Sequence, residues 1–270
     1  DVYDPMTDGW KQVSSMPTKR CAHGCVALDG KIYAMGGFNG DDGIISSADV
    51  YDPQSDSWQP LAEMVSARQE FAAATAGGKI YVIGGTESDD DTTAAVEAFD
   101  PLLGTWAEVA SMSVARSLHA AAVVDGKIYV LGGYDAGAGS GQGLDSVEMY
   151  DPQTDSWQQK ASLPHAGSRH VAAVMGGKIY VSGGYRDGSE ASTLLVFDLQ
   201  ANTWTELASM GTARADHASA AIGGKLYVFG GFSNGVERLA SVAAYNAISN
   251  TWAPVSDLTG ARDDFVAVAI

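Results

Sequence analysis

Phe71-Ala-Ala-Ala-Thr-Ala-Gly77-Gly78-Lys79-Ile-Tyr-Val-Ile-Gly84-Gly85 decides how this chain folds. Small and apolar residues run to a Gly-Gly pair, and five more residues of strand character run to a second pair. The first pair suits a two-residue hairpin turn, whose backbone needs positive φ. Lys79 to Ile83 is apolar enough to be buried on both faces, so it reads as an interior strand. A polar loop, Thr86 to Thr93, leads to a third strand at Ala95-Val-Glu-Ala-Phe99. The Asp100-Pro101 turn then feeds a fourth strand around Trp106.

The unit recurs along the whole chain. Trp10, Trp58, Trp106, Trp157, Trp204 and Trp252 stand 47 to 51 residues apart, and Gly-Gly pairs at 36/37, 84/85, 132/133, 183/184 and 230/231 keep the same step. Hairpin turns repeat at Asp29-Gly30, Gly77-Gly78, Asp125-Gly126, Gly176-Gly177 and Gly223-Gly224. Third strands close on Tyr51, Phe99, Tyr150, Phe197 and Tyr245. A four-stranded repeat of this length is the mark of a propeller, whose units bury their faces only against neighbours.

These residues resemble the kelch repeat: Gly-Gly after the second strand, Tyr or Phe closing the third, Trp in the fourth. The resemblance extends over essentially the whole chain. It implies an all-β, six-bladed kelch β-propeller of four-stranded antiparallel blades, occupying residues 1–270 as a single domain. Blades are expected near 18–64, 66–112, 114–163, 165–210, 212–258, and 260–270 joined with 1–16. Asp1-Val-Tyr-Asp-Pro5 matches Asp49 to Pro53, and Arg262 to Ile270 matches Arg20 to Leu28. The last blade would therefore be built from both termini and lack its second strand. On that reading the sequence is an excerpt of a longer chain.

Bulk composition narrows the function classes. The net charge is −17, and such a surface repels nucleic-acid phosphates. No apolar run is long enough to cross a bilayer as a helix, so no membrane partner is expected. Cys21 and Cys25, in what reads as one strand, would have α-carbons about 13 Å apart, too far for a disulfide. Two free thiols favour a reducing, cytoplasmic setting.

Ten residues after most tryptophans comes an arginine: Arg20, Arg68, Arg116, Arg214 and Arg262. In the fourth blade Gly167 stands there and Arg169 follows two residues later. This position starts the innermost strand, so the arginines are expected to ring one mouth of the channel and offer two-pronged donors to carboxylates. In kelch adaptors of ubiquitin ligases, arginines here help to hold acidic peptide motifs, and the same arginines equally serve to bond neighbouring loops. Two further rings are expected at that mouth by analogy with those adaptors. One follows Gly-Gly (Phe38, Thr86, Tyr134, Tyr185, Phe232), and the other precedes the third strand (Ser47, Ala95, Ser146, Thr193, Ser241). Aromatic rings with small hydroxyls suit peptide recognition.

His23, Phe71, His119, His170, His217 and Phe265 share another slot, which alternates with the arginine position and so points between blades. Buried, hydrogen-bonded imidazoles are expected there rather than a metal site. The acidic stretches Asp41-Asp42 and Glu87 to Asp91 lack calcium-loop spacing. The glycine-rich Ala136 to Gly143 is a candidate for ordering by a partner.

Some kelch-like propellers are enzymes: copper-radical galactose oxidase, the sialic acid mutarotase-epimerase, and the iron-dependent glucosinolate specifier proteins. No Ser-His-Asp, metal or phosphate-loop pattern stands out here. The expectation is a monomeric, non-catalytic interaction module without cofactor, binding a protein or acidic peptide at the Arg-rimmed mouth. The alternative is a sugar-modifying or metal-dependent enzyme with its site on the channel axis.

Overall fold

The computed structural model describes residues 1–4, 6–88, 91–137, 143–235 and 237–268, so the expectations for the Glu87–Asp91 and Ala136–Gly143 loops fall partly outside it. Five four-stranded antiparallel sheets follow one another in chain order. Blade one comprises Gly24–Leu28, Lys31–Met35, Ala48–Asp52 and Ser57–Pro60. Blade two is Ala72–Ala76, Lys79–Ile83, Val96–Asp100 and Thr105–Val109; blade three is Ala120–Val124, Lys127–Leu131, Val147–Asp151 and Ser156–Lys160. Blade four is Val171–Met175, Lys178–Ser182, Leu194–Asp198 and Thr203–Glu206; blade five is Ala218–Ile222, Lys225–Phe229, Val242–Asn246 and Thr251–Val255.

The expectation of six blades is corrected to five. Between blade five and blade one, the described residues form a two-stranded hairpin, Val2–Asp4 with Gly9–Lys11. The segment expected to add a first strand to it forms none among its described residues, 262 to 268. Tyr3 and Trp10 of the hairpin, with Phe265 and Ala267, instead pack as a group on the Tyr227 and Phe229 side of blade five. The reason is pairing. Without a second strand between them, the hairpin and residues 262–268 have no ladder to share and meet only through side chains.

The hairpin still bridges its neighbours. Ser256 N–H donates to Asp8 Oδ1 at 3.2 Å, and Ser14 N–H donates to Asp56 Oδ1 at 2.9 Å. Those bonds belong to a repeated joint. In each of blades one to five the fourth-strand tryptophan donates its indole N–H to a carbonyl of the preceding unit: Trp58 to Ser14, Trp106 to Ala62, Trp157 to Ala110, Trp204 to Ala161 and Trp252 to Ala208. Their rings lie 4.7 to 5.2 Å from the Tyr or Phe that closes the third strand. Buried aromatic area and one directed bond thus fix each blade angle.

Nearer the channel, the second glycine of each pair does the same work. Gly37, Gly85, Gly133, Gly184 and Gly231 donate N–H to the carbonyls of Arg68, Arg116, Gly167, Arg214 and Arg262 at 2.8 to 2.9 Å, each in the next unit. Neither glycine has room for a side chain: a Cβ on Gly183 would lie 2.4 Å from the Arg214 carbonyl of the next unit, and one on Gly184 would meet its own blade. A Cβ on Gly184 would lie 2.7 Å from His170 Cβ and 2.8 Å from the Ser168 carbonyl, at φ +100°. The shared histidine slot lies beneath: His119, His170 and His217 bring Cε1 within 2.9, 2.6 and 2.6 Å of a Cβ built on Gly84, Gly132 and Gly183. These rings point between blades, as the alternation implies. Where the slot holds Phe71, the blade-one residue facing it is Gly24, whose added Cβ would sit 2.3 Å from the ring. Other blades place Ala72, Ala120, Val171 and Ala218 at that position.

Gly183→Ala is expected to destabilise the fold by about 3 kcal/mol or more, because its φ of +60° and the 2.4 Å approach of its Cβ to the stitched Arg214 carbonyl must both give. Gly177→Ala, in a hairpin turn with open space around its Cβ, carries only the φ strain of about 1 kcal/mol. Urea unfolding of the two variants checks this, and equal losses would contradict the stitch described here.

Candidate functional site

Six residues, five of them just before the first strands of the five blades and the sixth in the C-terminal segment, share one backbone conformation. Ala22, Glu70, Leu118, Arg169, Asp216 and Asp264 all adopt the left-handed region, with φ from 50° to 59°. Each from Glu70 onward donates its N–H to the carbonyl of the one before, at 2.8 to 3.1 Å. The six residues thus form one hydrogen-bonded series that passes from unit to unit about the axis. These bonds offset the left-handed backbone strain of about 1 kcal/mol or more per non-glycine residue.

The axis is charged. Arg169 Nη1 donates to Asp216 Oδ2 at 2.6 Å. Burial alone lowers the guanidinium pKa, but Asp216, Glu70 and Asp264 outweigh it and hold Arg169 firmly protonated. Asp264 keeps solvent access at the rim. Desolvation among the axial loops, then repulsion from Asp216 and Glu70, pushes its carboxyl up to about 6 against the attraction of Arg169.

Arg169 is therefore an axial residue and not a displaced member of the arginine series. The others have a different fate from the one expected. Arg68, Arg116 and Arg214 are 0 to 2 % exposed, and the Arg20 side chain is fully covered. Each folds into its own blade. Nη1 donates to the first glycine of the pair (Gly36, Gly84, Gly132, Gly230) and to the carbonyl of Ser47, Ala95, Ser146 or Ser241. Nη2 of Arg20, Arg68 and Arg116 meets Asp49, Glu97 and Glu148 at 2.6, 2.6 and 2.8 Å. These four guanidinium groups do not rim the mouth, because they are buried and their Nη1 and Nη2 donors are bonded inside the sheet. Only Arg262 remains partly exposed, bound to Asp1 at 3.2 Å.

The hydroxyls of Ser47, Ser146 and Ser241 are likewise internal, each accepting Nη2 of its arginine at 3.0 to 3.3 Å. The residues that follow Gly-Gly lie beside the axial ones. Phe38, Thr86, Tyr134, Tyr185 and Phe232 bridge to Cys21, Gln69, Ser117, Ser168 and Ala215, the residues next to the axial circuit. Phe38 and Tyr185 are 41 and 40 % exposed, Tyr134 and Phe232 half-buried, and Thr86 buried. Sequence reasoning did not pick out the axial carboxylates Glu70, Asp216 and Asp264. Their common signal was a position one residue before the histidine slot.

One sector of the mouth is open. Gly167 leaves the arginine slot of blade four empty of side chain, and beside it a depression of about 600 Å3 is lined by Leu118, Tyr134, Ser168, Arg169, Tyr185 and Arg186 among others. The histidines are spread one per blade gap. His170 Nε2 lies 2.9 Å from the Leu131 carbonyl and His217 Nε2 3.0 Å from Ser182 Oγ. Burial lowers His23 and His170 to about 4, so both are neutral near pH 7. Among the described residues no three His, Cys, Asp or Glu side chains group to hold a metal ion.

The family model described as the KLHDC2/KLHL20/DRC7 Kelch-repeats domain matches residues 2–133 and 112–262. The chain belongs to the Kelch-repeat family. Kelch-like protein 3 of Danio rerio is 50% identical over 40 residues, which is 15% of this chain and 7% of that protein. Kelch-like protein 33 of Homo sapiens is 46% identical over 41 residues, 15% of this chain and 8% of that protein. The matched stretch is thus a small part of either relative. Among solved structures, that titled "Structure of YjhT" superposes with a TM-score of 0.82 at 16% identity, covering 95% of this chain and 89% of the other. At that identity the likeness concerns fold alone.

Two outcomes follow from the buried charges. Arg116→Ala strands Glu148 inside the sheet and is expected to remove about 3–5 kcal/mol of stability, whereas Arg169→Ala, on the solvated axis, removes far less; chemical denaturation of both separates a structural arginine from an axial one. The second outcome concerns pH. Asp264 binds its proton more tightly folded than unfolded, so its contribution is present below the ordinary carboxylate pKa and is lost as pH rises through about 6. The neutral histidines act oppositely: their contribution is present above 6.5 and lost as pH falls towards 4. Asp264→Asn should therefore make stability rise more steeply between pH 4 and 6 than in the parent. An unchanged slope would remove Asp264 from this account.

Proposed function

We propose that this propeller is a non-catalytic interaction module that holds a segment of a partner protein at the mouth bearing Phe38, Tyr134, Tyr185 and Phe232. The Kelch-repeat domain fits a protein-interaction module. The observation that carries the finer reading is the depression between Tyr134 and Tyr185, beside the glycine that replaces an arginine in blade four. Two tyrosines supply contact area at small entropic loss, with a hydroxyl each for adaptable hydrogen bonds.

Acidic character in the partner is met by Arg169 and Arg186, not by the arginines folded into the blades. Both line this depression. Glu70, Asp216 and Asp264 on the axis set the other boundary, since they repel a segment that carries carboxylates too deep. An acidic peptide would therefore lie over the blade-three and blade-four side of the mouth and not thread the channel.

Selection from peptide libraries displayed on phage, one rich in Asp and Glu and one in Lys and Arg, tests the reading with purified protein. Acidic peptides bearing an apolar residue should be enriched. Their affinity should weaken by about tenfold or more in the Tyr134→Ala/Tyr185→Ala double variant and lose salt dependence in Arg186→Ala. Enrichment of basic peptides, or binders indifferent to these substitutions, would reject the proposed mouth.

A further inference from the structure

Across the blades, the arginine that folds into the sheet faces the second residue of the third strand. That residue is Asp49 in blade one, Glu97 in blade two and Glu148 in blade three. Blade four has lost both halves of the pair, with Gly167 in place of arginine and Leu195 in place of the acid. Blade five has lost only one half. Arg214 is kept, 2 % exposed, while its acid position is Ala243.

The missing carboxylate is more than a counter-ion. In blade two, Glu97 also accepts the backbone N–H groups of Val65 at 2.7 Å and Ser66 at 3.1 Å, from the loop entering the blade. In blade three, Glu148 accepts Ser113 N–H at 3.0 Å. The corresponding loop residues of blade five, which follow Met210 as Val65 follows Met64, are Gly211 and Thr212. Gly211 N–H makes only a long bond of 3.3 Å to Ser209 Oγ. Arg214 Nη2 reaches the Ser241 hydroxyl at 3.1 Å, and no carboxylate lies within salt-bridge distance of it among the described residues. Burial lowers the Arg214 pKa with no acid to offset it.

The position is also reachable. Asp49, Glu97, Glu148 and Leu195 are buried, but Ala243 is half-exposed and Gly211 and Thr212 are exposed. By equivalence with blades two and three, a buried guanidinium, the Ser241 hydroxyl and the Gly211–Thr212 backbone flank the half-exposed Ala243 position, where those blades carry a carboxylate. A buried cation without an anion is strongly disfavoured unless something neutralises it.

We infer that blade five carries a carboxylate-binding site, in which Arg214 Nη2 and the Gly211–Thr212 backbone hold an incoming carboxylate where Glu97 and Glu148 sit in their own blades. A small organic acid and a glutamate side chain of a partner share the required chemistry. The site lies between blades four and five and does not depend on the aromatic mouth between blades three and four.

Ala243→Glu tests it without disturbing Arg214. The introduced carboxylate should take the vacant place, raise Tm by a few degrees above both the parent and Ala243→Gln, and abolish stabilisation by added carboxylate. The probes are sodium acetate and N-acetyl-glutamate amide, each against sodium chloride at equal ionic strength. Both carboxylates should raise the parent Tm, with apparent affinity falling roughly tenfold or more in Ala243→Glu. A much stronger response to the glutamate derivative assigns the site to a partner side chain, and an equal response assigns it to free organic anions. No response above chloride, or a response that survives Ala243→Glu, overturns the site, as does an Ala243→Glu protein less stable than Ala243→Gln.

Discussion

Everything in this molecule leans on a single close approach: the second glycine of each pair pressing its N–H against the carbonyl at the start of the next unit. The bond is short in all five instances, and the first glycine of the pair allows it, because a Cβ there would stand 2.4 to 2.9 Å from that same carbonyl. One consequence is angular. The carbonyl belongs to the arginine position, so the stitch sets where the next innermost strand begins and brings one residue per blade to the axis. A second consequence is chemical. The first glycine's carbonyl, freed from that job, becomes an acceptor for the blade's own arginine. Interblade spacing and arginine burial are therefore two results of one backbone geometry.

The arginines then create a debt of charge inside an acidic protein. A guanidinium taken out of water needs a fixed anion and several acceptors, and blades one to three supply both from the third strand. Blade four avoids the problem by deleting arginine and acid together. Blade five keeps the cation alone. The two sectors where the repeat departs from its own pattern are the two on which the proposals rest, since in blades one to three each buried guanidinium has a carboxylate partner.

Much of this was legible before any coordinates. Trp58 to Trp252, the glycine pairs and the Tyr or Phe closing each third strand place every four-stranded sheet, because each residue type meets a requirement that others do not: positive φ, close approach, or a large ring with a donor. The histidine slot was legible too, through its alternation with the arginine position. What misled was direction. Arg20, Arg68, Arg116 and Arg214 stand at a channel mouth along the chain, but their side chains turn back into the sheet towards Asp49, Glu97, Glu148 and Ser241. The acids at those third-strand positions carried that information, and their pairing with arginine across the repeat was the signal to read.

By itself, the sequence determined the repeat, the strands and the residues that wedge and stitch the blades, since these follow from local backbone needs and side-chain size. Tertiary structure decided how many sheets are complete, which charges are consumed internally, and that Arg169 belongs to the axis with Asp216 and Asp264. Such properties depend on which groups from different blades come within a few ångströms of one another. That distance is set by ring closure, and no stretch of the chain contains it.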